Sequence, residues 1–276
     1  LISLGACNYY EKGEYDLSEK KKLKILPYAY NLSKTIIDDD NINTMTIGVQ
    51  IASGNLSALY GGVSDYQNIL LQYSGAWSLS KEVYLSGDQA TLMAYYPYTA
   101  SSEEFTGVGS SAKRYISLPS ELTVDNQTDY LWSCQNTNIP SGANPINNFY
   151  SNVQLKMYHS LSLIVIVTYK DGYSGDGLLT EFSVVDKSAT QASLRVNKPE
   201  DNDLAMSLSN GEITGGSYTS AIKITSLNRT VASSDPGSDP ATLFTQRDRH
   251  LLLSPAQFAR GTDLSFLLKI DGVDYA

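Results

Sequence analysis

Long apolar runs, a basic face and clustered metal ligands are all missing from this 276-residue sequence. The longest apolar stretch, Leu161 to Tyr169, falls well short of the roughly 20 residues that a membrane-spanning helix takes. No internal transmembrane helix is expected. Lys and Arg total 20 against 29 Asp and Glu, a net charge of −9, and no arginine precedes Arg114. The one dense cationic cluster, Lys20, Lys21, Lys22 and Lys24, sits beside Glu11, Glu14, Asp16 and Glu19. That mixture reads as a solvated segment and not as the footprint of a nucleic-acid binder, so nucleic acid is not an expected partner. The only histidines, His159 and His250, and the only cysteines, Cys7 and Cys134, lie far apart. Zinc-type spacing is therefore absent, and no metal or cofactor is expected. Long Ala- or Glu-rich tracts that would signal extended helices are missing too.

What is present is tyrosine, glycine and short alternating runs. Tyr supplies 20 residues against 6 Phe and 2 Trp, and only 18% of residues are charged. Met45, Ile47, Val49 and Ile51 alternate with Thr44, Thr46, Gly48 and Gln50, the period of a half-buried strand. Asn68 to Tyr73, Thr91 to Tyr96, Ala192 to Asn197 and Leu264 to Ile270 carry further strand signals. From Val153 to Val167 one parity is apolar apart from His159, and past Ser162 both parities turn apolar, which predicts one long central strand covered on both faces. A single short helix is expected from Ser254 to Gly261, with Pro255 in its first turn and Gln257 completing a capping box. The Asn-, Pro- and Ser-rich stretch from Asn136 to Asn148 is the best linker. The sequence thus predicts an all-β chain with very little helix: a tether over 1–18, then two tandem β-sandwich domains over 19–140 and 150–276.

Catalytic templates fail one after another. Gly172-Tyr173-Ser174-Gly175-Asp176 nearly matches a nucleophile elbow, but its last position is wrong and it reads as a turn. Asp171, Ser174 and Asp176 offer calcium-type oxygens without the spacing of the twelve-residue calcium loop. Gly107 to Ala112 mimics a dinucleotide fingerprint without the flanking strand and helix, and reads as a flexible loop. Glu103, Glu104, Glu181 and Asp186 are the carboxylates available to a glycosidase pair, whose separation only coordinates can give. His159, on the apolar parity of its strand, reads as a hydrogen-bonded core residue, and Cys134 as a buried free thiol. An enzyme is not expected.

The amino terminus carries a different signal. Leu1-Ile2-Ser3-Leu4-Gly5-Ala6-Cys7 opens without methionine and resembles the tail of a secretory signal ending in a bacterial lipobox. Cys7 is then the expected lipidation site and the first residue of the mature chain. Acyl chains at about 0.8 kcal/mol per buried methylene would hold it at a membrane, with the outer membrane or cell surface as the expected location.

Several segments, in order, are also familiar. Tyr66-Gln-Asn-Ile-Leu-Leu-Gln-Tyr-Ser-Gly-Ala-Trp77 and Ala94-Tyr-Tyr-Pro-Tyr98 resemble the first domain of the Bacteroidales fimbrillin-like family. Asp129-Tyr-Leu-Trp132 is similar to that family's Asp-Leu-Leu segment, and Val153 to Ser162 to the strand opening its second domain, with Met157 in place of the usual aromatic. Leu251 to Gln257, Leu264 to Gly272 and Tyr275 resemble its Pro-Gln turn and the strand after it. The resemblance implies transthyretin-like sandwiches, no cofactor, and a lipid-anchored subunit that joins other fimbrial subunits. It also implies that a trypsin-like protease removes an amino-terminal strand, whose groove then accepts a donor strand from the next subunit.

With no arginine in that region, the candidate cleavage residues are Lys20, Lys21, Lys22, Lys24 and Lys34, with Lys12 further upstream. The removable strand is expected over Leu23 to Tyr30. Family members continue past the point matching Ala276, so the second sandwich is expected to be incomplete. Stalk, anchor, accessory and tip roles stay open, as does a host protein or glycan as partner. The alternative function is a surface glycan-binding lipoprotein, in which Trp77, Trp132, Tyr95 and Tyr96 would form an exposed stacking platform.

Overall fold

The computed structural model describes residues 18–29, 41–138, 144–188, 193–198, 203–233, 250–256, 258 and 263–276. Strands dominate the first half: β1 (Lys21–Lys22), β2 (Lys24–Ala29), β3 (Thr46–Ser53), β4 (Ile69–Tyr73), β5 (Trp77–Leu79), β6 (Tyr84–Leu85), β7 (Ala90–Tyr96), β8 (Phe105–Thr106), β9 (Lys113–Tyr115), β10 (Glu121–Leu122), β11 (Leu131–Gln135) and β12 (Asn152–His159). The second half adds β13 (Ser162–Val165), β14 (Leu178–Asp186), β15 (Leu194–Val196), β16 (Ala205–Ser207), β17 (Ile213–Thr214), β18 (Ser217–Thr219), β19 (Ala221–Ile224), β20 (Arg229–Thr230), β21 (His250–Leu253), β22 (Leu264–Ile270) and β23 (Val273–Tyr275). Helix among the described residues is confined to four three-residue 3₁₀ turns, and none is long and apolar enough to cross a membrane. The fold is all-β with sandwich-like layers. The helix expected from Ser254 does not begin there, because Ser254 to Ala256 are irregular; Gln257 and 259–262 lie outside the described residues.

A seven-stranded sheet, in the order β2-β12-β11-β7-β3-β4-β5, organises the first lobe. Alternation sends one parity of each strand to each face. Ile47, Val49 and Ile51 of β3, Leu92 of β7, Leu131 of β11, Val153 and Leu155 of β12 and Ile25 of β2 meet in one core, with Trp77 and Leu79 of β5 packed against it. Both edges of the sheet thus reach the same core, so the sheet curls around it. The opposite parity, including Ala52, Met93 and Tyr95, forms a second core under the four-stranded sheet β17-β16-β9-β8. A third core lies under β14 and β19, with Phe182, Val184, Ile222 and Ile224 facing Leu251 and Leu253 of β21.

Two expectations change here. The run from Val153 to Val167 is not one strand. β12 pairs with β2 and β11, whereas β13 crosses over to pair with β21. The break falls at Ser160, whose amide donates to the Tyr130 carbonyl at 2.9 Å. Its apolar parities have separate destinations: Leu163 packs on the second core, and Ile164 and Ile166 on the third. The strand expected to open the second domain is also hydrogen-bonded into the first lobe's sheet, so residues 19–140 do not contain that sheet. Further pairings cross the linker, β9 with β16 and β10 with β19.

Candidate functional site

The edge strand β2 is where sequence and topology converge. Its sequence Lys-Ile-Leu-Pro-Tyr-Ala alternates so that Ile25, Pro27 and Ala29 are buried while Lys24 and Leu26 are exposed. Leu23, Ile25 and Ala29 fill part of the first core. β2 runs parallel to β12, with Lys24 opposite Asn152 and Ala29 opposite Met157. This strand closely matches the one expected over Leu23 to Tyr30; Tyr30 itself lies outside the described residues.

Among the described residues β2 is laddered to one strand, β12. Lys24 donates its amide to the Ser151 carbonyl at 2.8 Å, on the β12 side. In a parallel ladder alternate residues bond to the same neighbour, so the amides of Ile25 and Ala29 face the other side, where Pro27 offers none. Just before the strand, the Leu23 amide reaches that other side and donates to Val83 at 2.9 Å. Beyond this pin that flank of β2 borders a groove of about 670 Å3 toward β5, lined by Leu26, Tyr73, Trp77 and Leu79 among others. A proline on that flank blunts it against adding another strand.

The candidate lysines fall around this strand unequally. Lys20, Lys21 and Lys22 are exposed; the last two form β1, paired antiparallel with β6, and Lys22 meets the Glu82 carboxylate. That hydrogen bond is the main cause holding the Lys22 ammonium above, and the Glu82 carboxyl below, its ordinary pKa. Lys24 is the first residue of β2. A cut at any of these four leaves β2 joined to β3. Lys34 lies between the end of β2 at Ala29 and the start of β3 at Thr46, outside the described residues, as do Cys7 and Lys12.

The other candidates scatter. Tyr95 is fully buried in the second core and Trp132 packs against it, whereas Trp77 and Tyr96 pack on the first core across the sheet. Four rings on opposite faces form no common platform. His159 keeps its predicted parity, and its Nδ1 lies 3.0 Å from the buried Asp129 carboxylate. Cys134 is a free, half-buried thiol whose pKa burial pushes up. Among the described residues no cluster of three His, Cys, Asp or Glu is placed to hold a metal. In the loop with Asp171, Ser174 and Asp176, the Lys170 ammonium takes the carbonyls of Gly175 and Asp176 at 3.4 and 3.1 Å, oxygens a cation would need. The Gly107 loop, expected to be flexible, is pinned: buried Gln50 accepts the Gly109 amide at 2.6 Å and donates to the Gly107 carbonyl at 3.2 Å. Glu104 pairs with Arg114 at 3.0 Å. The Asp186 carboxylate, though burial raises its pKa, is held below its ordinary value by hydrogen bonds from Ser188 and Ser193.

Two solved structures share the fold. A fimbrial protein from Bacteroides vulgatus aligns 86% of its chain with 93% of this one, at 11% identity and a TM-score of 0.57. A candidate cell adhesion protein from Bacteroides ovatus aligns 85% of its chain with 93% of this one, at 14% identity and a TM-score of 0.52. No curated protein matches the chain. A family model described as fimbrillin-like matches residues 35–272, nearly the whole described fold, and the chain belongs to the fimbrillin-like family.

Proposed function

We propose that this chain is a non-enzymatic fimbrial subunit of the cell surface that assembles by exchanging β2 for a strand of a neighbouring subunit. The observation that carries the proposal is the core-filling seat of β2 on the edge of β12. Removing it would uncover the apolar first core and unpair the edge of β12. An incoming strand with alternating apolar residues would restore both at once, main-chain bonds giving affinity and side-chain sockets giving register. Membership of a fimbrillin-like family supports other fimbrial subunits as the partners.

Among the candidate lysines within or beyond β1, only Lys34 separates β2 from β3. Cleavage there would release a segment carrying both Cys7 and β2, so one cut would free the subunit from a lipid anchor in the outer membrane and open the acceptor slot. The two-sandwich organisation belongs to this proposal, with the boundary placed after β12 so that the first sandwich keeps the whole curled sheet. Adhesion to a host protein or glycan is a further role compatible with a surface position.

The test is limited digestion of the full chain with a lysine-specific protease, followed by size-exclusion chromatography with light scattering. Loss of residues before 35 together with multimers is the expected result, abolished in Lys34→Ala. A chain that has shed β2 and remains a monomer at high concentration would refute strand exchange. Labelled palmitate incorporated into the native cells' protein, and lost in Cys7→Ser, checks the anchor separately.

A further inference from the structure

Away from β2, the loop from Lys170 to Gly177 folds against the Asp271–Gly272 turn between β22 and β23. Between them lies a cavity of about 350 Å3, within the roughly 300–1,000 Å3 typical of small-molecule sites. Its walls include three tyrosines, Tyr169, Tyr173 and Tyr275, over a floor of Val231 and Ile270, with Asp171 also in the lining. Two of the rings stand open to solvent, Tyr169 at 46% and Tyr275 at 40% exposure.

The third ring is held by a built support. Asp271 accepts the Tyr173 hydroxyl and the amides of Gly177 and Leu178, each at 2.8 Å. A Cβ on Gly175 would fall 2.5 Å from the Asp271 carboxylate and 2.6 Å from the Tyr173 ring, so glycine is what lets the loop close over this pair. Lys170, the cation in the lining, spends its ammonium on the Gly175 and Asp176 carbonyls.

These features select a chemistry. Tyrosine rings are rigid, amphipathic contact surfaces with little rotamer entropy to lose, suited to a ligand that has an apolar face. Exposed Asp171 offers acceptor oxygens and the phenols offer both roles, suited to a ligand rich in hydroxyls. The carboxylates at the rim oppose an anion, and the Lys170 ammonium is directed at backbone carbonyls. A pyranose ring combines a C–H face for stacking with hydroxyls for the carboxylate. We infer that the Tyr169–Tyr173–Tyr275 pocket binds a neutral saccharide unit of a surface glycan. This inference goes beyond strand exchange and does not depend on it.

The test uses the intact, uncleaved chain and saturation-transfer-difference NMR. Probes are neutral oligosaccharides ending in galactose, glucose, mannose or fucose, and a sialylated one for comparison. At least one neutral sugar is expected to take up saturation and to titrate to an end point. Tyr169→Ala and Asp171→Asn are each expected to weaken it at least fivefold, while Tyr150→Ala, an exposed tyrosine elsewhere, leaves it unchanged. Both pocket substitutions are at exposed positions, and an unaltered circular dichroism melt verifies the fold. The inference is overturned if no neutral sugar binds, if only the sialylated probe does, or if binding survives both pocket substitutions undiminished.

Discussion

Gly48 of β3 and Tyr95 of β7 face each other across the ladder, the smallest side against one of the largest. A Cβ on Gly48 would fall 2.1 Å from the Tyr95 ring. The ring has no room to retreat, being fully buried, stacked on Phe105 at 4.9 Å and hydrogen-bonded to Asn68 at 2.8 Å. Gly48→Ala is therefore expected to cost about 1–3 kcal/mol by overpacking, read from urea unfolding midpoints. Burial pushes the Tyr95 phenol up to about 12, against the opposing influence of its hydrogen bonds with Thr99 and Asn68 and of the charge of Arg114. The fold thus favours the neutral phenol. Its contribution is intact below the unfolded value of about 10 and is lost as pH rises through the folded value. Between pH 9 and 11.5 the native protein should lose more stability than Tyr95→Phe does; equal losses would show that this phenol is not the group titrating. Alternation in the sequence marks Gly48 and Tyr95 as outward from the first core. It does not reveal that they meet, because their pairing is a tertiary fact.

Among elements, β2 stands apart by what it lacks. β3 and β7 have hydrogen-bonded neighbours on both sides and are buried on both faces. Among the described residues β2 has one neighbouring strand, β12, and a proline whose nitrogen faces the other flank. Local opening follows such differences. Hydrogen exchange should find the Leu26 and Tyr28 amides unprotected well before those of Val49 or Leu92. Ile25→Ala, which empties part of the first core at a cost of about 2–5 kcal/mol, should widen that gap. Comparable protection in β2 and β3 would argue against an exchangeable strand. Here the sequence was informative: alternation located β22 to the residue and β3 with a shift at both ends, apolar segments between turns located β4 and β7, and Leu23 to Tyr30 contains β2. It misjudged β12 and β13, because two short strands feeding different sheets share one apolar parity.

At the scale of the molecule, the linker region marks a change of composition but not a change of partner. The sheet that seats β2 needs β12, which lies beyond that region, and the second core draws on both halves, joining Phe105 and Ile116 to Leu204 and Met206. A fragment of residues 19–140 lacks the strand between β2 and β11 and should be unfolded by circular dichroism. The intact chain should melt in a single transition, since the shared core couples the halves. Two separated transitions would mean that the shared core is too weak to couple them. The tyrosine pocket belongs to this scale as well, with Tyr275 about a hundred residues from Tyr169 and Tyr173 and no local pattern to announce it.

By itself the sequence determined the all-β class and the places of most long strands, because these depend on side-chain period and on turn residues close along the chain, and its ordered motifs carried the resemblance to the family. Tertiary structure alone decided which strand pairs with which, that β2 is seated on β12, and that Trp77 and Trp132 lie on opposite faces of one sheet. Hydrogen-bonding partners in a sheet are chosen by long-range closure and by competition for a common core. That choice is a property of the whole chain and leaves no mark in any short stretch of it.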